Sequence, residues 1–438
     1  MSQSAPAITN HDDPLRLLVP LRRHLQQVIA SAQYDELRAQ MESVETAVLS
    51  LLMTASAPLS APLRVLAQTL GEIYGLWDRT IAEDDGHQSG LGLLKQFMLA
   101  LMTHSPPSPN LWMQAVALAE RSESGKTILR AMLAMTLTHP ESQSPRFLWF
   151  LKDVLLQEAH CVFVRQTAPD HPDGWHWLDQ QGNFSSTSFK FNRSSTTEQI
   201  LFFHCGPLAE RIEHLLAELD QQPDHPLLQS ALMPLGEIRG QLQRVANQWH
   251  SPASRRYNRR RQDSRATLCT RLDQLWSALG TPNATATETS EWMIVNESAG
   301  GYALMHVSGP TTGLQAGNAL GLTLPSRPWS LCLIRWIRSE NSVHVEIGVE
   351  LLSPQAVPVR MTLPNREPQP AFLLPALPGL VREESLLAPR EEWGEENNFI
   401  LLTEKNGQLR ITSCLRGTPR HQTSGIEVFE FQRIGKTD

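Results

Sequence analysis

The spacing of apolar residues changes near residue 250, and this change constrains the fold more than any other feature of the sequence. Before it, apolar residues recur every three or four positions, as in Leu15, Leu18 and Leu25, which is the periodicity of amphipathic helices. After it come short apolar runs separated by Gly, Pro, Ser or Asn, which is the pattern of strands and turns. The sequence therefore predicts an α+β protein whose helices precede its strands.

Domain boundaries follow from this pattern and from the length of the chain. A chain of 438 residues is too long for one ordinary hydrophobic core, so about two or three domains are expected. Residues 1–13 are polar and acidic and are expected to be disordered, whereas residues 14–250 are expected to form an α-helical domain. Short aromatic runs predict a small β or loop insertion within this domain, near residues 160–206.

The strand-rich half is expected to contain three parts. Residues 251–265 form a polar junction that is dense in arginine. Residues 266–362 contain short strands at regular spacing, which is typical of a small antiparallel barrel or sandwich. Residues 363–438 show the same pattern of short strands and turns. They predict a C-terminal β extension, which either enlarges the barrel or packs as a second β layer.

Charge and cysteine content exclude several classes of protein. The formal net charge of -7 argues against a protein that coats nucleic acid with its whole surface, so any anion site must be local. The five cysteines are scattered and indicate neither a disulfide framework nor a zinc knuckle. Four histidines also lack ligand spacing, so no metal is predicted; they are His160, His171, His176 and His204. No secretory signal or membrane-spanning run is visible, and a cytoplasmic location is expected.

One segment imitates a nucleotide-hydrolysing motif. Residues 122–127 end like a phosphate-binding loop, but Glu120 occupies the position of the leading glycine and the residues before it have helical spacing. We expect a helix-to-helix turn at this point. Because no base and nucleophile arrangement is visible elsewhere, the protein is not expected to be an enzyme.

Two motifs in the strand-rich half carry the chemistry. The first is an arginine run at residues 255–261, which contains the pattern R-x-x-x-R. The second is N-x-S-x-x-G, filled by Asn296, Ser298 and Gly301 between two predicted strands. In this order the motifs resemble those of the PilZ family, and the resemblance covers about residues 254–360. It implies a PilZ-like antiparallel β-barrel that binds cyclic di-GMP.

The residue types suit such a ligand, which has two phosphates and two guanines. Arginine donates bidentate hydrogen bonds to guanine O6 and N7, pairs with phosphate and stacks on a purine face. Asparagine offers a base edge both a donor and an acceptor, and a serine hydroxyl donates to phosphate or base. Glycine lets the backbone approach the ligand where a Cβ would clash.

The arginine run leaves the register of the first motif open. Three pairs satisfy it, namely Arg255 with Arg259, Arg256 with Arg260, and Arg261 with Arg265. We favour Arg256 and Arg260. The predicted ligand-binding set is Arg255, Arg256, Arg259, Arg260, Asn296, Ser298 and Gly301. In the family, an arginine just before the first motif arginine tends to accompany an intercalated ligand dimer. Arg255 holds that position in the favoured register, so one or two ligands per chain are both open.

The resemblance implies a receptor in bacterial second-messenger signalling, in processes such as motility, adhesion or biofilm control. We expect the ligand to order the junction against the barrel and to reorient the helical domain for an unknown protein partner. Two alternatives stay open. One is a degenerate PilZ-like adaptor that binds proteins without nucleotide. The other is a local contact of the arginine run with nucleic acid, which the acidic charge of the chain disfavours.

Overall fold

The computed structural model divides the chain into two compact units, Met1–Arg255 and Arg256–Asp438. The structure describes the following residues: 20, 23, 26, 27, 34–54, 61–81, 90–105, 107–171, 173–179, 200–222, 224–229, 233–250, 260–280, 288–311, 313–339, 344–364, 366–377, 382–389, 397–405, 408–423 and 426–434.

The first unit is mainly helical, as its apolar spacing predicts. Its helices are α1 (Tyr34–Thr54), α2 (Ala61–Ile81), α3 (Leu91–Met102), α4 (Pro109–Arg121), α5 (Glu123–Thr136), α6 (Pro145–Glu158), α7 (Gly206–Gln221), α8 (Pro226–Gln229) and α9 (Leu235–His250). Their apolar faces meet in one continuous core. Trp249 lies within it and its Nε1 donates to the carbonyl oxygen of Ala134 at 2.9 Å, so the indole is buried without losing its hydrogen bond. In the described part of the chain, no helix combines the length and the apolarity needed to cross a membrane.

Serine side chains begin three of these helices. Ser108 and Ser144 accept hydrogen bonds at the starts of α4 and α6, and a proline follows each of them at the first helical position. Ser122 caps α5 by accepting from the backbone N–H of Gly125 at 3.0 Å. The segment that imitates a phosphate-binding loop is therefore the beginning of a helix.

A three-stranded antiparallel sheet interrupts the helices between α6 and α7. Its strands are β1 (Phe163–Arg165), β2 (Trp175–Asp179) and β3 (Ile200–His204), in the order β1-β3-β2. Leu178, Leu201 and Phe203 attach one face of the sheet to the helical core. The sheet lies in the region where a small β insertion is predicted.

The second unit begins with a closed six-stranded antiparallel barrel. Its strands are β4 (Arg260–Cys269), β5 (Ser290–Ser298), β6 (Gly301–Ser308), β7 (Ala319–Thr323), β8 (Ser330–Ser339) and β9 (Val345–Ser353), in the order β4-β5-β6-β9-β8-β7. A helix, α10 (Leu272–Gly280), follows β4. The first strand begins inside the range expected to be a junction, whereas residues 251–259 lie outside the described part of the chain.

The C-terminal β extension is a second closed six-stranded barrel. Its strands are β10 (Val357–Thr362), β11 (Gln369–Leu374), β12 (Ser385–Pro389), β13 (Asn398–Lys405), β14 (Gln408–Gln422) and β15 (Ile426–Ile434), in the order β10-β11-β12-β15-β14-β13. Relative to its first strand, this order repeats that of the first barrel. Strand β10 belongs to the second barrel, although its residues fall within the range 266–362 expected to form the first.

Apolar residues from both barrels form a shared core. Leu331 and Leu333 of β8 meet Phe372 and Leu374 of β11 there, and Leu275 of α10 joins them. Trp276 of the same helix donates from Nε1 to the carbonyl oxygen of Val359 at 2.7 Å. The predicted fold class, helices followed by an antiparallel barrel and further strands, is confirmed.

Candidate functional site

The N-x-S-x-x-G motif forms the turn that joins β5 to β6. Ser298 closes the turn by donating from Oγ to the carbonyl oxygen of Gly301 at 3.3 Å. The backbone N–H of Leu351 in β9 donates to the carbonyl oxygen of Gly300 at 2.8 Å. A Cβ on residue 301 would lie 1.9 Å from the carbonyl oxygen of Val349, and the φ of this residue is +152°. Only glycine fits this position, because the backbone of β9 occupies the space of a side chain.

A single row of residues crosses five strands of the first barrel at the level of this turn. Pairing joins Arg261 to Asn296, Asn296 to Ala303, Ala303 to Gly348, and Gly348 to Trp336. Residues paired directly across antiparallel strands point to the same face. The row therefore lies on one face of the sheet.

This face is the outer one. The neighbouring row, which runs through Ile294, Leu304, Ile347 and Ile337, is fully buried and fills the barrel interior. The register of β5 against β6 shifts between Ile294 and Asn296. This β-bulge turns Asn296 outward, whereas plain alternation would place it on the inner face with Ile294.

Small residues form the floor of the outer row, and aromatic and cationic groups bound it. Ala303 and Gly348 lie in its middle. A Cβ on Gly348 would lie 1.9 Å from Nε1 of Trp336, so the indole covers the backbone of this glycine. The guanidinium of Arg338 lies over the same indole, with Cζ 5.2 Å from the ring centroid. Arg261 and Asn296 bound the other end, so the row presents hydrogen-bonding groups at one side and a flat aromatic surface at the other.

Comparison with known proteins agrees with this geometry. Residues 277–358 match the family model described as the middle PilZ domain of the cyclic-di-GMP receptor FimW. This barrel is a PilZ domain. A curated relative, the cyclic-di-GMP receptor FimW of Pseudomonas aeruginosa, is 36% identical over 103 residues, which are 22% of this chain and 17% of the relative. The similarity thus concerns one domain, and the chain spans well under two thirds of the length of that relative.

The predicted site residues fall into two groups. Asn296, Ser298 and Gly301 lie together at the β5–β6 turn of the PilZ barrel, and Arg260 is the exposed first residue of β4, paired with Glu297. The other three predicted residues lie outside the described part of the chain; they are Arg255, Arg256 and Arg259. The involvement of all seven residues in ligand binding stays a prediction.

The strand register supports a role in ligand binding for Arg261, which is not part of the favoured pair. Arg261 is the direct partner of Asn296, and Arg265, four positions later, pairs with Met293. Arg265 is largely exposed and its Nη1 lies 3.7 Å from Oε2 of Glu291. All three registers therefore stay open, namely Arg255 with Arg259, Arg256 with Arg260, and Arg261 with Arg265.

Two residues near the motif were missed in the sequence. Trp336 was missed because its place in the row depends on the pairing of β8 with β9, and Glu350 because it resembles an ordinary charged strand residue. The signal for both was the glycine-bearing run at residues 347–351, since a glycine within a strand often marks a close approach by another group.

Glu350 is the centre of a charged cluster beside the turn. It is the direct strand partner of Gly301. Its Oε2 accepts from Nε of Arg335 at 2.7 Å, and its Oε1 accepts from Nη2 of Arg382 at 3.0 Å. Burial favours the protonated form of this carboxyl, but the surrounding basic groups, Arg335 foremost, outweigh burial and hold the pKa of Glu350 below its ordinary value.

His421 of the second barrel completes this cluster as a neutral base. Its Nε2 lies 3.9 Å from Oε1 of Glu350, and its Nδ1 lies 3.5 Å from Nη2 of Arg335. Burial, together with the charge of Arg335, lowers the pKa of His421 to about 4, although Glu350 acts in the opposite direction. At neutral pH the ring is uncharged and accepts from the guanidinium.

We expect His421 to make the protein less stable in mild acid. Below the ordinary histidine pKa of about 6.5 the unfolded chain binds a proton that the folded chain refuses, so stability falls as the pH drops from about 6.5 toward 4. The expected loss from this group is on the order of 2 kcal/mol. Urea unfolding of wild type and His421→Gln at pH 7.5, 5.5 and 4.5 tests it. The variant should lose less stability between the highest and lowest pH, and equal losses would contradict the assignment.

One group of potential metal ligands lies in the helical unit. Glu158, His160 and Cys161 each bring one ligand atom within 4.8 Å of the others. Arg211 already pairs with the carboxylate of Glu158, with Nη2 3.0 Å from Oε1. Burial raises the pKa of the Cys161 thiol and favours its protonated form. A cation here would have to displace both the guanidinium and the thiol proton.

Proposed function

We propose that this protein is a non-enzymatic cyclic di-GMP receptor whose ligand binds on the outer face of the PilZ barrel. The observation that carries the proposal is the row from Arg261 and Asn296 to Trp336, which lies directly beside the turn of Ser298 and Gly301. The curated relative is named as a receptor for this ligand, which supports carrying the same ligand to this chain.

Each group in the row suits a part of the ligand. The guanidinium of Arg261 and the amide of Asn296 can form hydrogen bonds with the edge of a guanine base. The arginines of the junction provide positive charge for the phosphates. The small side chain of Ala303 lets a flat base approach the sheet beside the indole that covers Gly348. Trp336 offers an aromatic face at the far end.

Ligand binding at the barrel is also proposed to change the junction and the helical domain. Ligand draws the junction arginines, Arg255, Arg256 and Arg259, onto the barrel, so charge-assisted contacts offset the entropy lost by that segment. The helical domain is thereby reoriented for a protein partner. A nucleotide-free adaptor role is the alternative, and it predicts no affinity for cyclic di-GMP.

Titration calorimetry with cyclic di-GMP tests the proposal. GTP, a guanine nucleotide that is not a cyclic dinucleotide, is the control ligand. Wild type is expected to release heat with one or two ligands per chain. Asn296→Ala is expected to bind about 10-fold more weakly, because a bidentate base contact contributes about 1 to 3 kcal/mol.

The matched control is Asn318→Ala. Asn318 belongs to the same barrel, but its amide donates within its own loop, to the carbonyl oxygen of Gly313 at 3.4 Å. This variant should bind like wild type. Absence of heat with the intact protein would contradict the receptor and favour the adaptor.

A further inference from the structure

The repeated strand order reveals what replaces the ligand turn in the second barrel. The connection between β11 and β12 occupies the place that the β5–β6 turn has in the first barrel. It carries no N-x-S-x-x-G motif. It carries Arg382, whose backbone forms a two-way bridge with Leu377, at 2.8 and 3.2 Å.

The side chain of Arg382 leaves its own barrel and contacts β9 of the PilZ barrel. Nη2 donates to Oε1 of Glu350 at 3.0 Å, and Nη1 donates to the carbonyl oxygens of Leu351 and of Leu352, the latter at 3.2 Å. Only 12% of this side chain is exposed. Its three acceptors are consecutive residues, so the guanidinium fixes one short stretch of strand.

That stretch is the support of the motif turn. Glu350 pairs with Gly301, and the backbone N–H of Leu351 donates to the carbonyl oxygen of Gly300. Val349, the residue before, leaves no room for a Cβ on Gly301. A shift of β9 would therefore move the turn that carries Ser298.

We propose that Arg382 is a positioning residue for the ligand turn, and that the second barrel is thereby a working part of the cyclic di-GMP site. This inference rests on the proposed function. The second barrel holds β9 in the register that the bound turn requires, so ligand affinity and the docking of the two barrels are coupled. Such coupling is reciprocal, since a ligand that favours the held turn also strengthens the contact through Arg382.

Arg382→Ala tests the inference by calorimetry, on full-length protein whose fold is checked by circular dichroism. We expect cyclic di-GMP to bind about 10-fold more weakly, within the usual range of coupling between sites. Arg382→Lys should recover only part of the affinity, because an ammonium keeps the charge but loses the planar fork.

The matched control is Arg416→Ala. Arg416 is equally buried, with 13% of its side chain exposed, and its Nη2 donates to Oε2 of Glu427 at 2.8 Å within the second barrel. Both alanine variants should lose stability, but Arg416→Ala should keep wild-type affinity. Equal affinity of Arg382→Ala and wild type would overturn the inference, whereas a wild type without affinity would overturn the proposed function.

Glu350→Ala distinguishes positioning from simple electrostatics. If Arg382 acts only through its charge, removal of a carboxylate near an anionic ligand should tighten binding. If Arg382 positions the turn through Glu350, the same change should weaken binding several-fold. Weaker binding supports the inference and tighter binding overturns it.

Discussion

Gly301→Ala is expected to weaken the binding of cyclic di-GMP severely. The added Cβ would lie 1.9 Å from the carbonyl oxygen of Val349, so the turn must separate from β9. Overpacking of this kind costs about 1 to 3 kcal/mol of stability. It also displaces Ser298 and the backbone of the motif, and we expect affinity to fall roughly 100-fold or more, which equals about 3 kcal/mol. Calorimetry and urea unfolding of the same preparation measure both effects.

Gly240→Ala in α9 is the control for the glycine change. A Cβ at this position meets nothing within 4 Å, and alanine favours a helix over glycine by about 1 kcal/mol. This variant should bind like wild type and be no less stable. An alanine at position 301 that preserved affinity would show that the ligand does not depend on the geometry of this turn.

The Arg256→Ala/Arg260→Ala double variant is expected to cause a second large loss. A hydrogen bond to a charged group contributes about 1.5 to 3 kcal/mol, so two lost contacts should weaken binding roughly 100-fold or more. Arg261→Ala/Arg265→Ala tests a second register with the same change in charge. Each pair is titrated with cyclic di-GMP at a fixed salt concentration.

Comparison of the two double variants identifies the register. A larger loss with Arg256 and Arg260 supports the favoured pair, and a larger loss with Arg261 and Arg265 supports the arginine that pairs with Asn296. If neither pair changes the affinity, Arg255→Ala/Arg259→Ala decides between the remaining register and a solvated linker that leaves the barrel to bind the ligand alone.

The local sequence pattern was sufficient to predict the fold class and the position of the β5–β6 turn. Apolar spacing predicted the helical unit, short alternating runs predicted the strands, and the order of Asn296, Ser298 and Gly301 located the β5–β6 turn. These properties depend on residues close in sequence, such as the caps Ser108 and Ser144. A single sequence contains such information directly.

Pairing between distant strands was not predictable in the same way. The β-bulge that turns Asn296 outward has no signature in the sequence, and alternation would place this side chain in the core with Ile294. Strands were predicted after residue 363, but their closure into a second barrel depends on contacts between remote segments. Arg382 resembles a solvated arginine in the sequence, yet its side chain is almost completely buried.

Closure of both sheets has a consequence for how this protein can assemble. In the described part of the chain, every strand from β4 to β15 belongs to a closed barrel, so each strand has a paired neighbour on both sides over at least part of its length. Partner recruitment by addition of a strand, and the runaway edge-to-edge pairing that leads to fibres, both require a free edge. Closure therefore favours partners that recognise side chains on the barrel walls and loops over partners that extend a sheet.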